Sequence, residues 1–90
     1  MRSSYLEVTY RHGRVFAAYY HVTARAGRRT ARTRRVARGM LVDYARDGEP
    51  LGVEITAPSV VTLAALNRVL RQLDLDPLKA DEFAPLRVAS

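Results

Sequence analysis

The stretch Met40-Leu41-Val42-Asp43-Tyr44-Ala45-Arg46-Asp47-Gly48-Glu49-Pro50-Leu51-Gly52-Val53-Glu54-Ile55 decides the fold. Asp47-Gly48 is the strongest short-range hairpin signal in the chain, because the favoured two-residue turn needs positive φ at both central positions. With Asp47 and Gly48 as the loop, Tyr44 falls opposite Leu51, Val42 opposite Val53 and Met40 opposite Ile55. All six are apolar and share one face. The other face carries Leu41 opposite Glu54 and Asp43 opposite Gly52. A slip of one residue would mix the two faces, so the register is well specified. Pro50 is expected on the outer side of the turn, where a missing amide donor costs least.

Working outward, Tyr5 to Tyr10 alternates at period two and reads as a strand, with Leu6, Val8 and Tyr10 on one face. His12-Gly13 supplies a turn, and the aromatic and β-branched run Val15 to Thr23 pairs back as a hairpin. Tyr19 and Tyr20 must then point to opposite faces, one into the core and one toward solvent or an interface. Arg28 to Ala37 is the weakest strand, with Val36 its one sizeable apolar residue, and Arg38-Gly39 is a tight connection into Met40. Downstream, Ser59 after Pro58 reads as a helix N-cap, and the helix runs to about Leu73. Leu63, Leu66, Leu70 and Leu73 make its apolar stripe, with Asn67, Arg68, Arg71 and Gln72 on the polar side. Asp76-Pro77 marks a second helix start, and Leu78, Phe83, Leu86 and Val88 anchor the tail. The expected fold is therefore α+β: an antiparallel β-meander of four to five strands with one C-terminal amphipathic helix on one face. Residues 1–90 form a single domain, divided into a sheet over 5–56, a helix over 59–74 and a docked tail over 75–90.

Ninety residues without a cysteine leave no disulfide or thiolate metal site to reinforce a small core. Association with a second copy is the remaining common device, so a homo-oligomer is expected. No apolar run is long enough for a membrane span and none follows the N-terminal Met1-Arg2-Ser3-Ser4, so the expectation is a cytoplasmic protein without a membrane partner. The net charge of +6 is unevenly spread. Residues 1–39 hold ten arginines against Glu7, whereas residues 40–90 hold four arginines and one lysine against eight acids. Such asymmetry suits an N-terminal half that meets phosphate or an acidic partner; equally, the two halves neutralise each other on folding.

The run Gly39-Met40-Leu41-Val42-Asp43-Tyr44-Ala45-Arg46-Asp47-Gly48, followed by Leu51-Gly52-Val53-Glu54-Ile55 and Ala57-Pro58-Ser59, resembles domain of unknown function 2283, a family of small bacterial proteins. Tyr10 and Ala17-Ala18-Tyr19-Tyr20 are similar to that family's first strands. The resemblance spans about residues 5–59 and implies a compact β-meander closed by a helix. It marks Gly39, Asp43, Tyr44, Asp47, Gly48, Gly52 and Glu54 as pattern residues. Some members are encoded beside toxin-like partners, which implies an antitoxin-like or regulatory role. The chain departs from the pattern at Arg34-Arg35-Val36-Ala37-Arg38, where the family tends to be acidic, at Ala45 in place of an aspartate, and at the extra Pro50.

Three constellations could carry chemistry. Seven of the fourteen residues from Arg25 to Arg38 are arginine. In an extended chain Arg28, Arg32, Arg34 and Arg38 share one face, and Arg29 and Arg35 the other. Such a ribbon can follow a phosphate backbone with steep salt dependence. With no aromatic between Val22 and Val36, base stacking inside the tract is excluded. Two other readings compete: charges that guard an exposed strand edge, and pairing to the domain's own acids, with Arg34 opposite Asp43. Asp43 and Glu54, carboxylates on one face, could act as an acid/base pair or hold a cation, but no third acid converges on them. His12 and His21 are too few for zinc, and no serine stands where a nucleophile would. No catalytic residue, cofactor or metal site, or small-molecule substrate is thus assigned. The expected function is a non-enzymatic protein-interaction module. The alternative is a nucleic-acid-binding protein that contacts phosphates through Arg28, Arg29, Arg32, Arg34, Arg35 and Arg38.

Overall fold

Alternating residues build the first hairpin of the computed structural model, which describes residues 4–87. Strand β1 (Ser4–Arg11) returns as β2 (Arg14–Val22) through His12 and Gly13, with φ of 53° and 76°. Two left-handed residues give the turn a twist that matches the strands it joins. The pairing shifts register beyond Thr9, leaving Phe16 as an extra residue on β2 and Tyr10 opposite Val15. After a 3-10 turn at Thr23–Arg25, the chain crosses to β3 (Arg32–Ala37), then runs through β4 (Met40–Tyr44) and β5 (Pro50–Ile55). The weak third strand thus begins at Arg32, and Arg28 and Arg29 precede it in the crossover.

All neighbouring strands are antiparallel, in the order β1-β2-β5-β4-β3. Strands β3 to β5 form a true meander, and the β1–β2 hairpin joins it through β2 and β5. The central hairpin keeps the expected register from Met40↔Ile55 to Asp43↔Gly52. It then shifts, pairing Tyr44 with Pro50 instead of Leu51. The cause is the turn. Gly48 N–H donates to Ala45 O at 2.9 Å and Ala45 N–H to Glu49 O at 2.9 Å, so Arg46, Asp47 and Gly48 make a three-residue loop. Only Gly48, at φ 91°, is left-handed there. A three-residue loop of this kind carries its own bulge, and Leu51 is the extra residue it leaves between Pro50 and Gly52.

One face of the sheet holds Ala18, Tyr20, Val22, Met40, Val42, Val53 and Ile55, all buried. Helix α1 (Leu63–Gln72) covers it with Leu66, Val69 and Leu70. The helix begins four residues later than Ser59. Pro58–Val60 forms a 3-10 turn, Val61 is extended and fully buried, and Thr62 caps the helix by accepting from Ala65 N–H at 3.1 Å. Two successive β-branched valines are poor helix starters, and Val61 serves the core better as an extended residue. Gly39, at φ 75°, explains the tight approach on that side, since an added Cβ would lie 3.1 Å from Val60 and 3.2 Å from Val61.

Asn67 departs from its expected place on the polar side of the helix. It is 8% exposed, donating to Leu78 O at 2.9 Å and accepting from Leu78 N–H at 2.8 Å. The tail crosses the helix there, and its buried amide and carbonyl need a two-way partner that an apolar residue cannot offer. Asp74, at φ 59°, ends the helix: its N–H donates to Arg71 O and that of Leu75 to Leu70 O, the paired bonds of a left-handed cap. The tail docks through Tyr20 Oη, which donates to Asp76 O at 2.7 Å, and through buried Leu78, Phe83 and Leu86. Its short helix α2 (Ala80–Phe83) starts after Lys79, whose N–H donates to Glu82 Oε1 at 2.7 Å, and not at Asp76-Pro77. Val88 lies outside the described residues. No helix among the described residues is long and apolar enough to cross a membrane.

Replacing Asn67 with Ala leaves the buried Leu78 N–H without its partner, and is expected to lower the unfolding free energy by about 2–3 kcal/mol in urea melts. Asp74→Gly removes the left-handed penalty and is expected to raise it by about 1 kcal/mol.

Candidate interaction surfaces

The face opposite the helix is uncovered, and residues from four strands meet on it. Strand β2 contributes Tyr19 and His21, which stand across β1 from Glu7 and Tyr5. His21 stacks on Tyr5 with centroids 4.6 Å apart and planes at 12°, and lies 4.5 Å from the Tyr19 ring. Its Nε2 donates to Glu7 Oε1 at 2.7 Å. Tyr19 reaches the other way, donating from Oη to Asp43 Oδ2 on β4 at 2.7 Å. Thr33 on β3 donates to the second oxygen, Oδ1, at 2.5 Å.

That reach across β5 depends on Gly52. A Cβ built there would lie 2.3 Å from Tyr19 Cε1, so only glycine leaves room for the ring. A glycine within a strand often marks such a close approach. Burial, the bond to Asp43 and the nearby charges of Asp43 and Glu54 all raise the Tyr19 pKa. The phenol therefore stays protonated and acts as a donor, the opposite of what a base or nucleophile needs. Asp43 and Glu54 do share this face, but each Asp43 oxygen already accepts a hydroxyl. Among the described residues no group of three or more His, Cys, Asp or Glu side chains could hold a metal ion.

The arginine tract divides into three. Arg28 is matched internally, with Nη2 2.9 Å from Asp47 Oδ2 and Nη1 2.9 Å from Glu49 Oε1. These partners raise its pKa. The Glu49 N–H, at 3.0 Å from Asp47 Oδ1, and then Arg28 hold the Asp47 carboxyl below its usual range. Arg25 joins them, 2.9 Å from Glu49 and donating to Pro50 O at 2.6 Å. The crossover is thereby clamped to the β4–β5 turn. Arg32 lies over the Tyr44 ring, 5.2 Å from its centroid. The remainder, Arg29, Arg34, Arg35 and Arg38, are exposed and no acid among the described residues pairs with them.

Self-pairing thus occurs, but not where the sequence placed it. A bulge between Arg35 and Ala37 shifts the β3–β4 register, so Thr33 and not Arg34 faces Asp43. Arg34 stands beside Val42 on the helix side of the edge, and Arg35 beside Leu41 on the open side. A cleft of about 370 Å³ lies between the open face and the crossover, lined by Tyr5, Tyr19, His21, Arg25, Arg28 and Asp43 among others. Its cations are matched by Glu49 and Asp47, so it offers no unbalanced charge to a ligand. Within the tract, the unmatched positive charge lies on and beside the β3 edge.

No family model matches the chain, and no curated protein or solved structure matches it either.

Two measurements test this geometry. Gly52→Ala should displace the Tyr19 ring from Asp43 and cost about 1.5–3 kcal/mol, the worth of a hydrogen bond to a charged group. Combined with Tyr19→Ala it should add almost nothing to the loss from Tyr19→Ala alone. In an ultraviolet pH titration Tyr19 should ionise well above its ordinary 10.0, and Asp43→Asn should bring it back toward that value. Because the folded pKa is raised, its stabilisation is complete below pH 10.0 and is lost as the pH rises beyond it.

Proposed function

We propose that this chain is a non-enzymatic protein-interaction module that receives an acidic, extended segment of a partner along β3. One observation carries the reading. β3 is hydrogen-bonded to β4 only, and the arginines on and beside its free edge, Arg34, Arg35 and Arg38, lack acids of their own. A free edge offers main-chain donors and acceptors to an added strand, whose alternate side chains then meet residues on both faces of the sheet. Opposite charges across such a pair contribute about 0.2–1 kcal/mol each, and they relieve repulsion among the arginines. The same charges repel a second copy of β3, which makes the edge selective for a different, acidic chain. An antitoxin-like or regulatory role, which the resemblance of the central hairpin implies, is an activity of this kind: one partner is held by one exposed strand.

Phosphate binding is the second reading, favoured by the same unmatched arginines. The open face beside them opposes it, because Glu7, Asp43 and Glu54 place carboxylates where a nucleic acid would spread from the edge. The aromatic rings there are also engaged with one another and with Asp43.

Fluorescence anisotropy separates the two. The probes are a labelled peptide of alternating Glu and Val, a duplex DNA and a single-stranded RNA, each titrated from low salt to about 0.15 M. The peptide is expected to bind and to lose about ten-fold or more in affinity when Arg34, Arg35 and Arg38 are replaced by Ser. Nucleic-acid binding that survives at about 0.15 M salt and collapses in that variant would transfer the function to phosphate recognition. Binding of no probe would overturn both readings.

A further inference from the structure

The sheet has two free edges, and they differ in chemistry. β3 carries Arg32, Arg34 and Arg35 and is broken by a bulge. β1 has a single charge, Glu7, between Ser4 and Tyr10, and no glycine or proline along its eight residues. Natural edges are normally blunted by charge, proline or a bulge, and β1 has almost none of this protection. The most exposed large apolar residues among those described are at this end: Tyr5 and Tyr10 on β1 are each 51% exposed and Phe16 on β2 is 49% exposed, against 39% for Val36 on β3. Leu6 and Val8 are only partly buried where they join the core.

We propose that β1 pairs antiparallel with β1 of a second copy about a two-fold axis at Val8, joining the two sheets into one. The register follows from the residues. Strand partners must share a face, and on β1 the even-numbered residues lie on the helix side and the odd-numbered ones on the open side. The axis must therefore pass through a residue and not between two. At Glu7 it would set two carboxylates directly opposite each other, which is repulsive. At Leu6 it would leave Thr9, Tyr10 and Arg11 without partners in β1, and at Thr9 it would pair Glu7 with Arg11 but leave Ser4, Tyr5 and Leu6 without partners in β1. At Val8 every directly opposite pair is favourable, and the two Glu7 carboxylates are only diagonal neighbours. Val8 meets Val8 and Leu6 meets Tyr10 of the second copy, which extends the core across the interface and covers the exposed tyrosine. On the open face Tyr5 meets Arg11 of the second copy as a cation–π pair. Glu7 meets Thr9, with that Arg11 on the diagonal within reach of its carboxylate. The contacts are the same on both copies, as a closed two-fold interface requires. β3 remains free at each outer edge.

Sedimentation and light scattering on the full chain should give twice 10.1 kDa over the micromolar range. Thr9→Glu, an exposed change that leaves the monomer's packing intact, puts a carboxylate opposite Glu7 twice per dimer and should weaken association by about ten-fold or more. Adding Glu7→Lys should restore it. The chain has no cysteine of its own, so single cysteines report the register directly. Val8→Cys places two thiols opposite each other, with Cα atoms about 4.5–5.5 Å apart, and should cross-link on oxidation. Thr9→Cys leaves them on the diagonal, about 7–8 Å apart, and should not. A monomer throughout the micromolar-to-millimolar range, a dimer indifferent to Thr9→Glu, or equal cross-linking by both cysteines would overturn the proposal.

Discussion

The pairing of β2 with β5 is the contact on which the rest of the structure depends. Ala18↔Ile55, Tyr19↔Glu54, Tyr20↔Val53 and His21↔Gly52 join two units that are otherwise local, the β1–β2 hairpin and the β3–β5 meander. Every other strand pairing closes a short loop, whereas this one must close the whole crossover together with β3 and β4. Loop entropy grows only slowly with length, so the cost is met if both faces of the junction contribute. They do. On the helix side Tyr20 and Val53 are fully buried, and Tyr20 also holds the tail through Asp76. On the open side the Tyr19 ring lies across Gly52.

This junction also governs where charge ends up. Bringing β2 beside β5 puts the start of the crossover next to the β4–β5 turn, so Arg25 and Arg28 meet Glu49 and Asp47. The excess positive charge of the N-terminal half is partly cancelled at that point. It is not cancelled along β3, because the nearest acid on β4, Asp43, is turned to the open face and held by Tyr19 and Thr33. The polar chemistry of the open face and the bare charge of the edge thus have one origin.

Local signals in the chain were legible to the extent that their physics is local. The hairpin register from Met40 to Asp43 follows from period-two patterning, and it fails at Tyr44 because a three-residue loop sets Pro50 opposite it and leaves Leu51 as the extra residue. The strand order was not legible, since nothing in β2 or β5 alone specifies a partner that far away in sequence. Ser59 has the chemistry of a cap but precedes two valines, and burial of Val61 decided the start in favour of Thr62. Asn67 sits on a polar stripe by periodicity, yet the tail that covers it turns that polarity into a backbone partner. Gly52 and Tyr19 were each visible, and a glycine inside a strand is a signal for a ring lying over it; the missing information was that β2 is the strand alongside. The single bulge near Val36 moved Asp43 from Arg34 to Thr33, which a tract of near-identical residues gives no means to foresee.

If β3 is the docking edge proposed above, the open-face cluster contributes to it by position. Tyr19 on β2 holds Asp43 on β4, and Asp43 holds Thr33 on β3, a transverse tie that passes over β5 and reaches the outermost strand. Ala31 N–H, just ahead of β3, adds a bond to Tyr44 O at 2.8 Å. An edge strand bearing several unmatched arginines would otherwise gain from fraying, since separation relieves their repulsion. The tie opposes that tendency and keeps the edge extended before any partner arrives. Because binding must bear the cost of ordering whatever is disordered beforehand, a strand already fixed in register leaves more of the interaction free energy to appear as affinity. Loss of the phenol–carboxylate bond on one side of the sheet would then weaken recognition on an edge that neither Tyr19 nor Gly52 touches.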